Sequence, residues 1–206
     1  MSSSNYPKAW SRFTTQMRKP DGETPKELVD NFGQLARWSA RFRLAKSFKS
    51  LDLGDAYSGS DTPQLYSAIT RIFLVYSAFE IYCDIICFKS SKESQIKALQ
   101  DALSQQATIK TIRDLDPQNA FATFLLQHLT GVKLKRTMCD FIGNEKEINV
   151  SCLAKSIRHV FAHGILTANA MGLSPKRFDQ VSQIISDFLL NCMDKDFDER
   201  IPANLD

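Results

Sequence analysis

Phe178, Val181, Ile184, Ile185, Phe188, Leu189 and Cys192 recur at the spacing of one helical face, which predicts a long amphipathic helix near the end of the chain. A second apolar stretch, Ile69 to Phe88, is about long enough to span a membrane. It carries Arg71, Glu80 and Asp84, charges costly inside a bilayer, so a central helix buried in a bundle is the expected reading. Capping residues followed by proline mark four helix starts: Thr24-Pro25, Thr62-Pro63, Asp116-Pro117 and Ser174-Pro175. Thr24 and Glu27 together have the pattern of a capping box. Helices are predicted at 25–50, 62–88, 92–106, 117–129, 132–142, 150–163 and 175–195, with 107–115 open between helix and connector. No strand-like alternation and no internal repeat is visible. The expected fold is all-α, a helical bundle with long second and C-terminal helices, over residues 24–206 behind a flexible lead-in at 1–23.

Composition refines this frame only slightly. Of 206 residues 43% are hydrophobic and 24% charged, enough apolar material for a real core. The net charge of +3 selects no partner by itself, but its distribution is uneven. Arg37, Arg41, Arg43, Lys46 and Lys49 form a run without an acid, whereas Asp187, Asp194, Asp196, Asp198, Glu199 and Asp206 gather at the other end. The basic run fits a solvated helix face, and alternatively a surface that steers RNA through its phosphates. Five cysteines, Cys83, Cys87, Cys139, Cys152 and Cys192, fall in apolar stretches and read as buried free thiols of a reducing compartment. With no export signal in the first twenty residues, the expectation is a cytoplasmic protein that does not enter a membrane.

The segment that carries chemistry is Val150 to Gly164. Val150, Leu153, Ala154, Ile157, Val160, Phe161 and Gly164 fall on one side of a helix; Lys155, Arg158, His159, Ala162 and His163 fall on the other. Gly164 is placed to end the helix, leaving His163 in its last turn. Arg158 and His163 are five positions apart, or roughly 140° about the axis, so one straight helix does not aim both at one phosphate. Two such helices packed antiparallel across a twofold axis do, setting the arginine of one copy beside the histidine of the other.

Arg158, four intervening residues, His163 and Gly164, followed by a loop and a long amphipathic helix, resemble the HEPN superfamily of all-helical, typically dimeric domains. The likeness extends over about residues 62–195, but its specific part is Arg158 to Gly164. It implies a metal-independent endoribonuclease, needing no cofactor, of a toxin–antitoxin or antiviral-defence setting. RNA, a second copy of the chain and an antitoxin or regulatory protein are the implied partners. It also implies attack by a ribose 2′-hydroxyl that leaves a 2′,3′-cyclic phosphate. His163 would move the proton and Arg158 would hold the phosphate. Family members commonly carry asparagine directly after the arginine; here that place is His159, either a helper of His163 or the mark of altered chemistry. Glu80 is implied as an orienting acid for Arg158 or His163, with an ordinary ion pair, for example to Arg71, as the alternative.

Other readings stand beside this one. His159 and His163, four apart, suit one face of a zinc site, but no third ligand is in evidence. His128 reads as a helix-end or core histidine. Tyr6, Trp10, Arg12, Phe13, Arg18 and Lys19 mix rings and cations as single-strand binders do, but short tails are more commonly just flexible. The second functional class is a non-catalytic HEPN-like dimerisation or regulatory module that binds RNA, nucleotide or a partner protein. The third is a plain helical structural protein.

Overall fold

The computed structural model describes residues 5–19, 24–86, 92–143, 148–162 and 172–202. Among these, the regular structure is helical throughout, with no strand. In chain order the helices are α1 (Trp10–Met17), α2 (Lys26–Asp30), α3 (Phe32–Ser47), α4 (Thr62–Ile86), α5 (Lys92–Asp101), α6 (Gln105–Leu115), α7 (Ala120–His128), α8 (Val132–Gly143), α9 (Val150–Ala162) and α10 (Pro175–Arg200).

The apolar run predicted to be a central helix is α4. Leu65, Ile69, Ile72, Val75, Phe79, Tyr82 and Ile86 recur every three or four residues and bury one side of it, and Ala78 and Ile85 widen that face. It packs against α10, α3 and α9. Arg71 is not stranded in this core: its Nη1 donates to Asp179 on α10 at 2.6 Å and its Nη2 to the Lys49 carbonyl at 3.1 Å. Among the described residues, no helix is long and apolar enough to cross a membrane.

Helix starts follow local chemistry. The Ser174 hydroxyl accepts from the Arg177 amide and Pro175 opens α10, as the cap-then-proline signal predicts. Asp116 works at longer reach, its buried carboxylate accepting from the amides of Ala120, Phe121 and Ala122 at 2.8–3.2 Å to cap α7. The capping box at Thr24 does not form: α2 begins on Pro25 with no side-chain cap, and the buried Thr24 hydroxyl has no hydrogen-bond partner.

Several boundaries differ from expectation, α7 starting at Ala120 against 117 and α10 running to Arg200 against 195. The helix predicted over 25–50 divides at Asn31, whose side-chain amide donates back to the Glu27 carbonyl at 2.8 Å. The one predicted over 92–106 breaks at Ser104, a left-handed residue, and 107–115 is helical as part of α6. Within the 1–23 lead-in, residues 10–17 form α1 instead of a flexible strand of chain. Phe13 of α1 is fully buried beside Phe197 and Phe32, and the Lys8 amide donates to Asp194 at 2.7 Å. Most of the aromatic and basic side chains of this segment are therefore spent on packing, Arg18 and Lys19 staying exposed: Arg12 donates to Asp198 and to the Ile201 carbonyl, each at 2.9 Å, and Arg43 lies over the Tyr6 ring.

The cysteines also divide. Cys83 and Cys192 are buried free thiols, but Cys152 is half-buried and Cys139 is exposed on α8, where the apolar stretch has an outward face; Cys87 lies outside the described residues.

Candidate functional site

Helix α9 presents the polar face the sequence predicts. Val150, Leu153, Ala154, Ile157 and Val160 are buried against α4 and its neighbours, while Lys155 and Ala162 are exposed and Arg158 and His159 half-exposed. His163 and Gly164, the second half of the motif, lie outside the described residues.

Arg158 and Glu80 come together from the two facing helices. Arg158 Nη1 donates to Glu80 Oε2 at 3.2 Å, the side chains retaining 34% and 41% of their exposure. Glu80 is thus paired with Arg158 and not with Arg71, whose carboxylate partner is Asp179. The guanidinium carbon also sits 5.4 Å from the centres of both the Phe73 and the Tyr76 rings of α4. Two ring faces and one carboxylate hold the guanidinium at the surface with solvent still reaching it. A pair this exposed adds under about 1 kcal/mol to folding, so its value to the molecule is orientation.

His159 points elsewhere. Its Nε2 shares a hydrogen bond of 2.9 Å with the Thr130 hydroxyl, in the turn between α7 and α8. His128 ends α7 with Nδ1 on the Phe124 carbonyl at 2.9 Å and its ring against that of Phe124, the helix-end histidine expected. Among the described residues no three His, Cys, Asp or Glu side chains gather as metal ligands.

Glu80 and His159 also face a feature not visible in the sequence. An open groove of about 910 Å³ runs between α4, α5, α8 and α9, with Tyr76 in its wall and Lys97, Lys133 and Lys155 along it. Tyr76 and Phe73 precede Glu80 by four and seven residues, a spacing that places all three toward one side of α4 and was available as a signal. Nothing in the sequence linked Thr130 to His159, since a turn residue 29 positions away carries no periodicity.

No known protein family, no curated protein and no solved structure matches the chain. The likeness to the HEPN superfamily therefore rests on the α9 motif and its setting.

Proposed function

We propose that the chain is a HEPN-type endoribonuclease whose site is completed by a second copy. The observation that carries this reading is the fixed, solvent-reached guanidinium of Arg158, held by Glu80 and two rings on the polar face of α9. Such a group suits a phosphodiester whose charge grows during reaction. Phe73, beside it, remains 38% exposed, Tyr66 two turns earlier on α4 37% exposed, and Ala162 offers little obstruction, which supports close approach of another helix pair.

In this scheme the 2′-oxygen attacks phosphorus as its proton leaves to His163. The 5′-oxygen departs with the proton that His163 took from the 2′-hydroxyl, and a 2′,3′-cyclic phosphate remains. Arg158 holds the non-bridging oxygens, Glu80 keeps Arg158 in place, and His159 orients the neighbouring turn through Thr130. A toxin or defence role, with an antitoxin as partner, belongs to the same proposal.

Purified protein incubated with RNA in excess EDTA tests it. Cleavage that persists in chelator and falls by at least ~100-fold in both Arg158→Ala and His163→Ala is the expected result. RNA left intact by every version, or cut only without EDTA, overturns it. A second reading, a non-catalytic binding module, draws on His159, which stands where the family carries asparagine and is engaged with Thr130 of its own chain.

A further inference from the structure

The groove beside Glu80 and His159 holds polar groups that the fold itself does not use. Tyr76 is buried to 7% exposure in its wall, and among the described residues its hydroxyl makes no hydrogen bond. Burial, with the nearby Glu80 charge, pushes that hydroxyl far above its ordinary range, so it stays protonated and offers a donor. Gln105 lines the same groove: its Nε2 donates to Asp101, while among the described residues its buried Oε1 has no donor. Between them the walls are mostly apolar, formed by Phe79, Ile96, Leu134 and Ile148, and Lys133 and Lys155 bring positive charge to one side.

A ligand that fits must be flat or apolar in its body, bear both an acceptor and a donor, and carry negative charge. An alkyl chain with an acid head leaves the buried tyrosine and glutamine unmet. A nucleobase with its phosphate satisfies all three conditions, because base edges pair donors with acceptors on a ring that packs against apolar side chains. We infer that this groove is a subsite for one unpaired nucleotide, its base between α4 and α8 and its phosphate toward Lys133 and Lys155. The inference deepens the ribonuclease reading, since Glu80 and His159 border both, and it rests on that reading for the source of the nucleotide: an RNA strand or a free mononucleotide.

Calorimetric titration of the full chain with AMP, UMP, laurate and a five-residue oligoribonucleotide tests it. Variants are Thr137→Trp, which fills the groove from α8, the double change Lys133→Ala with Lys155→Ala, and Tyr76→Phe, each checked for an unchanged thermal melt. At least one mononucleotide or the oligoribonucleotide should bind, weakening tenfold or more in Thr137→Trp and in the lysine pair, and several-fold in Tyr76→Phe. Binding confined to the oligoribonucleotide assigns the groove to a strand; binding of mononucleotide with similar strength assigns it to the free ligand. Laurate bound as tightly as nucleotide, nucleotide affinity unchanged in the filled and lysine variants, or no binding at all overturns the inference. The two readings fail separately. Uncut RNA with nucleotide still bound in the groove, including in Arg158→Ala, sinks cleavage alone. RNA cut at the normal rate by Thr137→Trp that no longer binds nucleotide there preserves cleavage but assigns the subsite no part in it, and normal cutting with nucleotide affinity unaltered by every groove variant sinks the subsite.

Discussion

Burial, followed by the charge of Asp196 and a 2.5 Å hydrogen bond to it, holds the Tyr82 hydroxyl well above its ordinary range. The folded chain therefore keeps a proton that the unfolded chain releases near pH 10. The sign follows: this contribution to stability is full below about pH 10 and is lost as pH rises beyond it. Guanidinium unfolding across about pH 8 to pH 11 should show this contribution unchanged up to about pH 10 and falling beyond it. Tyr82→Phe should be weaker at neutral pH, having lost its Asp196 partner, yet decline less steeply in alkali. Gly172 poses a different demand. Its φ is +69°, and a Cβ built there comes 2.9 Å from Ala120 at the start of α7. Gly172→Ala should destabilise by about 1–3 kcal/mol, read by denaturant melts, because the new methyl meets backbone as well as a strained φ.

Among the elements, α7 depends most visibly on a residue outside itself. Asp116→Ala removes three hydrogen bonds from amides that burial shields from water, and should cost about 1–3 kcal/mol in the same melts. Asp116→Asn should restore part of this. The cap-then-proline pairs made such starts legible both at Ser174, where the side chain reaches its amide, and at Thr24, where α2 begins at Lys26 although the capping box itself does not form. The long apolar helices α4 and α10 were readable because burial repeats at their own period. Short α1 was not, since eight residues have too little intrinsic helicity to stand without Phe13 docking on Phe197. The break at Ser104 carried no glycine or proline to announce it. At the site, the exposed face of α9 was legible from periodicity, whereas the pairing of Arg158 with Glu80 joins positions 78 apart and needed the packing of α4 on α9.

For the molecule as a whole, the composite site of the proposed function would make activity depend on association. Under the proposed function, Phe73→Asp, which puts a charge on the exposed face of α4, should shift sedimentation toward monomer and reduce cleavage together, with the melt little changed. Loss of cleavage with the oligomer intact would separate Phe73's contact with Arg158 from any interface role. Glu80→Gln should change the melt by under about 1 kcal/mol, so a larger loss in cleavage reports on orientation.

The docking of α1 bears on the order in which the molecule can be assembled. Arg12 and Lys8 find their acceptors 186 residues further along, on the last turns of α10. During synthesis α1 and the residues before it are held by their contacts with α3, Phe13 on Phe32 and Arg43 on Tyr6, until α10 follows, and closing so long a loop is slow. A nascent chain should accordingly leave α1 loosely held and open to protease or to a chaperone until α10 emerges, and only then bury Phe13 against Phe197.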